Sequence, residues 1–285
     1  MELVENISDV SNLVSKWKKQ QLKVAFVPTM GNLHTGHLSL VEKALAVADK
    51  VVVSIYVNPM QFGAGEDFDS YPRTLDADIE ALSCQGVDVL FLPTTKTMYP
   101  DESKATTEVY VPEITEILCG ESRPGHFLGV STIVNKFFNI IQPDIAIFGQ
   151  KDFQQVAIIR RMVADLFIPI EILAMPTTRE LDGLAKSSRN QYLTEDERNR
   201  APSLYNLMKE SSESVVNGAD IAVIESKGMD LLSSLGFDPE YFSFRDPISL
   251  TQLERSQPEM VLVVAAKLGA TRLIDNRLFS LRNVT

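Results

Sequence analysis

Cysteine is nearly absent: Cys84 and Cys119 are the only two in 285 residues, too few for a disulfide framework or a cysteine-based zinc arrangement. Positive charge is also scarce. Against 38 Asp and Glu stand 27 Lys and Arg, a net charge of −11, and that background opposes a grip on nucleic acid. An anionic ligand would need its few basic neighbours clustered around it. No apolar run approaches the length of a membrane span. Residues 1–20 are amphipathic and mixed in charge, without the apolar core of a signal peptide. These deficits predict a cytoplasmic protein with no nucleic-acid partner and no membrane partner.

What is present is ordinary globular composition, with 45% hydrophobic and 23% charged residues, in a chain long enough for one large domain and a smaller one. Helical spacing over residues 9–20, with Val10, Leu13, Val14 and Trp17 on one side, leads into an apolar run at 23–27. A helix at 38–48 and the β-branched run 51–57 complete a βαβ unit. Further helices are expected at 75–85, 131–141 and 153–166, with strands at 87–92, 145–148 and 170–173. This alternation predicts an α/β fold: a doubly wound, Rossmann-like parallel sheet over residues 1–176, with ligands beyond the strand carboxyl ends. Residues 177–285 read as a smaller α+β domain. A capping-box spacing at Thr194 starts a long helix, another runs over 220–235, and short strands at 241–244, 261–266 and 272–274 make a small mixed sheet.

Two of the chain's three histidines fall in one turn, Met30-Gly31-Asn32-Leu33-His34-Thr35-Gly36-His37, between a predicted strand and a predicted helix. A helix start offers unpaired N–H groups and the positive end of the dipole to a phosphate. His34 and His37, three apart, could both donate to it as charge shifts. A surface turn or a zinc pair is the plainer alternative, although zinc lacks a third ligand nearby. A second segment, Gly149-Gln150-Lys151-Asp152, repeats the strand-end logic, with Gln155 one turn on. Taken alone, it is more economically an ordinary helix start. The loop Lys186-Ser187-Ser188-Arg189 offers hydroxyls and a guanidinium as a mobile phosphate clamp, or equally a polar linker. Asn58 and Gln61, past a buried strand, could read the hydroxyl and carboxylate of a small acid. Arg123 and His126 could contact anions or merely flank a Pro-Gly turn.

Read together and in order, these segments resemble the pantothenate synthetases, the pantoate–β-alanine ligases of the HxGH nucleotidyltransferase superfamily. The likeness also takes in Tyr71-Pro-Arg-Thr74 and Arg272-Leu-Ile-Asp275, and runs along nearly the whole chain. It implies ATP-dependent condensation of pantoate with β-alanine through a pantoyl-adenylate, releasing pyrophosphate and AMP, with Mg2+ accompanying ATP, no dedicated protein metal site, and a homodimer. By matching position, 30–37, 149–152 and 186–189 form three ATP segments, and Thr178 adds a fourth contact. The 186–189 loop becomes a clamp over ATP. Gln61 and Gln155 match the pantoate-binding glutamines, and His37 matches the residue usually termed the proton donor. His34, Lys151 and Arg189 join it as transition-state contacts. One departure is Lys186, where the family more often has Leu or Met.

Two other functions compete. Another HxGH nucleotidyltransferase would join a nucleotide to a phosphorylated small molecule, and AMP formation that requires both pantoate and β-alanine separates the two. A non-catalytic nucleotide sensor would bind ATP without releasing pyrophosphate, and it would have no need of His34, His37, Lys151 and Arg189 together.

Overall fold

The computed structural model of the protein describes residues 1–100 and 106–281. The chain divides into two compact units, Met1–Gly149 with Ile158–Met175, and Gln150–Ala157 with the chain from Pro176 onward. Residues 150–157, which the sequence reading placed in the first domain, thus group with the second unit.

The first unit runs β1 (Glu2–Val4), α1 (Ile7–Lys19), β2 (Val24–Thr29), α2 (Thr35–Val47), β3 (Lys50–Ile55), α3 (Leu75–Gln85) and β4 (Val89–Phe91). It continues through the short helices α4 (Thr95–Met98) and α5 (Cys119–Ser122), then α6 (His126–Ile141), β5 (Ile145–Gly149), α7 (Phe153–Asp165) and β6 (Glu171–Met175). The six strands form one sheet in the order β1-β4-β3-β2-β5-β6, and every pairing is parallel. This is the expected doubly wound sheet. From β2 the chain steps outward through β3 and β4, then returns to lay β5 on the other side of β2. That reversal puts the carboxyl ends of β2 and β5 side by side at a topological switch point, where open α/β sheets bind ligands.

β2 is buried on both faces, which is why it reads as a continuous apolar run. Ala25 and Val27 pack with Leu40, Val41 and Ala44 of α2. Phe26 points the other way, its ring 5.5 Å from that of Phe137 on α6. Full burial of Val27, Val41 or Phe26 contributes about 1.5–3 kcal/mol each relative to exposure. The edge strand β1 has no sequence signal beyond three residues.

The second unit adds α8 (Glu195–Arg200), α9 (Ser203–Val216), α10 (Ile221–Ser234), β7 (Asp238–Arg245), β8 (Glu259–Leu268) and β9 (Thr271–Ser280). Two expectations are corrected here. The helix starting at Thr194 is two helices, because Pro202 interrupts it and stands at the start of α9. The sheet is wholly antiparallel, in the order β7-β8-β9, and β9 is much longer than the short strand expected at 272–274.

Candidate active site

β2 stops at Thr29, whose hydroxyl donates to the Ser54 carbonyl at 2.8 Å and accepts the Gly31 amide at 3.2 Å. Gly31 has φ +82°, and a Cβ there would stand 3.0 Å from an Ile55 methyl and 3.2 Å from the Asp78 carboxylate, so both backbone and space require glycine. Asp78, buried in the first turn of α3, accepts the amides of Asn32 and Leu33 at 2.9 and 2.8 Å and the Thr74 hydroxyl at 3.0 Å. The turn that delivers the chain to α2 is therefore fastened by one carboxylate with no evident signal in the sequence.

His34 is the N-cap of α2, its Nδ1 accepting the Gly36 amide at 3.1 Å. The amide of His34 in turn donates to Nδ1 of His37 at 3.3 Å. The pair forms a capping box built from two imidazoles, stacked at 4.1 Å between centroids. The geometry fixes both tautomers: a ring nitrogen that accepts a backbone N–H carries no proton, so each neutral ring holds its proton on Nε2. The first turn of α2 contains Thr35 and Gly36 and no acidic residue, leaving the positive end of the helix dipole uncompensated by its own side chains.

Gln61 sits in a 3-10 turn, Pro59–Gln61, that follows β3. Its Nε2 lies 2.8 Å from the sulfur of Met30, bringing the predicted acid-binding glutamine against the histidine-bearing segment. A thioether is a weak acceptor, and a carboxylate or hydroxyl would displace it readily. Asn58 does not offer itself to a ligand in the same way. It is 1% exposed, its Nδ2 donates to the Gly129 carbonyl at 3.1 Å, and its Oδ1 accepts from Tyr99 at 2.9 Å. Burial, and Tyr56 beside it, push the Tyr99 hydroxyl well above its ordinary range, so it stays a neutral donor. A Cβ at Gly129 would collide with the Met60 carbonyl, so glycine lets α6 press against the turn. Arg123 is likewise engaged, its fork closed on Glu66 at 2.7 and 2.6 Å. Both residues were expected to contact substrate; the protein itself occupies their polar groups.

The second unit assembles the other segments. Residues Gln150–Asp152 form a 3-10 turn leading into α7, where Gln155 lies in the first turn. Asn276 of β9 fastens that turn, its Nδ2 donating to the carbonyls of Gln150 and Lys151 at 2.8 and 2.9 Å. Lys151 is 3.8 Å from Asp152. The clamp segment is a closed hairpin: the Lys186 amide donates to the Thr178 carbonyl at 2.9 Å, and the Glu180 amide to Leu184 at 2.8 Å. Its base is held by Arg179, which grips Asp275 with both arms at 2.6 and 2.9 Å and stacks 3.6 Å over the Tyr205 ring. The Lys186 ammonium, the departure noted above, pairs with Glu180 at 3.0 Å on the same hairpin. Ser187 caps the turn Ser188–Tyr192 by accepting the Arg189 amide at 3.3 Å. Lys151, Ser187, Asn190, Arg272 and Asp275 line one small recess. Asp78, Asn276 and the Arg179–Asp275 pair are the supporting residues that sequence reasoning left without a role; polar letters inside an apolar strand were the only hint for those on β9.

A doubly wound parallel sheet, with a histidine-capped helix start at its switch point, defines an α/β nucleotide-binding enzyme of the HxGH type. The Pantoate-beta-alanine ligase family model matches residues 2–278. A pantothenate synthetase of Pseudomonas putida is 49% identical over 286 residues, covering 100% of both chains, and one of Stutzerimonas stutzeri is 50% identical over 283, covering 99% of each. The crystal structure of pantothenate synthetase from Thermus thermophilus superposes with a TM-score of 0.90 at 40% identity, covering 97% of this chain and 99% of that one. The corresponding figures for the Francisella tularensis ligase are 0.81 and 37%, with 98% and 97% covered. The chain belongs to the pantoate–β-alanine ligase family, and it is an ATP-dependent ligase that forms pantothenate.

Proposed function

We propose that residues 30–37 and the 149–152 and 186–189 segments act on a single ATP, with pantoate held by Gln61 and Gln155 in line with the α-phosphorus. A pantoate carboxylate oxygen attacks that phosphorus, the bond to the bridging oxygen breaks, and pyrophosphate leaves. The amine of β-alanine then attacks the acyl carbon of pantoyl-adenylate, loses a proton, and displaces AMP. The Francisella tularensis relative was solved complexed with β-γ ATP and β-alanine, which supports both as ligands here.

The observation that carries the assignment is the double imidazole cap. Its Nε2–H groups are neutral donors fixed by the backbone, suited to charge that grows on the phosphates without a proton changing hands. The attacking carboxylate has no proton to give up, so His37 serves as a transition-state stabiliser and not as an acid. Lys151, Arg189 and the Ser187 and Ser188 hydroxyls add charge and donors from the second unit, and Thr178 contributes from the base of the hairpin. Asn58 and Arg123 act by holding the Gln61 turn.

Mg2+ enters with the triphosphate. Among the described residues no group of three or more His, Cys, Asp or Glu could hold a metal ion, and phosphate oxygens with water are the hard ligands Mg2+ prefers. A homodimer follows from family likeness and is checked by sedimentation. Cytoplasmic residence is consistent with the lack, among described residues, of a helix long and apolar enough to cross a membrane.

Rapid-quench reaction of enzyme with ATP and pantoate, β-alanine withheld, tests the first step. Pyrophosphate should appear in an amount stoichiometric with enzyme. A burst that does not require pantoate, or none until β-alanine is added, would refute the adenylate route.

A further inference from the structure

The turn that carries Gln61 is tied from the start of α6 by a chain of three side chains that make no contact with the reacting groups in the scheme above. Glu66 holds the Arg123 guanidinium through Nε and Nη2 at 2.7 and 2.6 Å. The remaining arm, Nη1, meets Nε2 of His126 at 3.0 Å. Nδ1 of His126 lies 2.7 Å from the Gln61 carbonyl. The chemistry of the end groups settles every proton. A guanidinium only donates, so His126 Nε2 must accept; a carbonyl only accepts, so Nδ1 must carry the hydrogen. His126 is thus a neutral imidazole locked in the tautomer opposite to that of His34 and His37.

The first residue of α6 is His126, so its ring is anchored by a helix of sixteen residues that also meets the turn through the Asn58–Gly129 bond at 3.1 Å. The other end of the relay is a bidentate ion pair whose side chains are 17% and 23% exposed. Gln61 is buried, 8% exposed, so its carbonyl needs a partner, but a single donor would satisfy it, and a histidine fixed in turn by an ion pair is more than that need requires. The apparatus makes sense if the direction of the Gln61 side chain matters, because fixing its carbonyl removes the peptide rotation that would swing the amide away.

We propose that Glu66, Arg123 and His126 form a positioning relay that sets the orientation of Gln61 toward the acid substrate, with His126 donating through Nδ1 and Arg123 fixing its tautomer. The proposal rests on the reading that Gln61 holds pantoate. None of the three is a catalytic residue, since each acts through Gln61.

The test is steady-state kinetics on the full chain, varying pantoate and ATP separately. His126→Ala should raise the pantoate KM about tenfold while leaving the ATP KM within about twofold, the split expected when one substrate's contact is misaimed. His126→Asn places an amide N–H where Nδ1–H stood and should bring the pantoate KM back to within about threefold of wild type. Glu66→Gln, nearly isosteric, loosens the guanidinium and should raise the pantoate KM by a smaller factor in the same direction, which keeps the test open should His126→Ala not fold. Gln61→Ala separates the two layers of the argument. If it leaves the pantoate KM unchanged, the underlying reading fails and the relay has nothing to aim. If it raises the pantoate KM but His126→Ala and Glu66→Gln do not, or if both KM values move together and His126→Asn gives no recovery, the relay itself is overturned.

Discussion

His34 serves the helix through Nδ1 and, in the account above, the phosphates through Nε2–H, and one substitution separates the two. In His34→Asn the side-chain oxygen falls where Nδ1 lay and can accept the Gly36 amide now held at 3.1 Å. Asparagine is among the best N-cap residues, whereas alanine at such a position costs about 1 kcal/mol. The helix start should therefore survive, with a melting temperature close to wild type for His34→Asn and about 2–4 °C lower for His34→Ala. Neither variant has a donor at the Nε2 position. Removing one preorganised donor from developing charge costs about 2.7–4 kcal/mol, a loss of roughly 100- to 1,000-fold in kcat. Both variants should show that loss, with the ATP KM changed far less. Paired measurement of melting and of kcat for AMP formation decides the matter. If His34→Asn retained a kcat within a few-fold of wild type, donation from Nε2 would not contribute, and the functional reading of the double cap would fail.

Other expectations follow from the same geometry. His37→Ala and Lys151→Ala should each lower kcat far more than they weaken ATP binding; isothermal titration with a non-hydrolysable analogue beside turnover assays checks this, and equal losses in binding would contradict it. Asp78→Asn keeps the shape but sets an NH2 against one of two backbone donors, at the cost of a charge-assisted bond worth about 1.5–3 kcal/mol; the melting temperature should fall by about 3–12 °C and kcat with it, and wild-type behaviour in both would discount the role of Asp78. Asp275→Ala strands Arg179, whose partner carboxylate is 3% exposed, and breaking such a pair costs about 3–5 kcal/mol; denaturant unfolding should show a loss of that order. Burial alone would raise the Glu66 carboxyl, but the Arg123 hydrogen bonds and charge outweigh it and hold it below the ordinary 4.5. A value lower in the folded state gives stability that is complete above the unfolded value and is lost as pH falls through the folded one. Urea midpoints between pH 6 and 3.5 should therefore drop more for wild type than for Glu66→Gln, and parallel drops would show that the ion pair does not matter.

Much of this was legible because the sheet is buried on both faces, so its strands announce themselves as unbroken apolar runs and α3 ends where Gly86 takes up a left-handed cap. The histidine turn was legible because two rare residues shared it. What was hidden has a common cause: polar groups satisfied by partners far along the chain. β9 seemed to stop at Ile274 because Asp275 and Asn276 interrupt the apolar pattern, yet both are buried and satisfied by Arg179 and by the backbone of residues 150–151. Asn58 and Arg123 read as ligand contacts, and nothing local reveals that Tyr99, Gly129 and Glu66 also engage their polar groups. Asp78 reads as an ordinary helix-start acid, and only the fold shows two amides from Asn32 and Leu33 converging on it.

The central claim, that the histidine cap and the strand-end lysine serve one triphosphate, is tested most directly by a crystal structure with pantoate and a non-hydrolysable ATP analogue. The account predicts phosphate oxygens within hydrogen-bond distance of His34 Nε2, His37 Nε2 and Lys151 Nζ in the same molecule of nucleotide, with the pantoate carboxylate facing the α-phosphorus. A nucleotide bound to only one of these sets, with the other facing solvent, would contradict it.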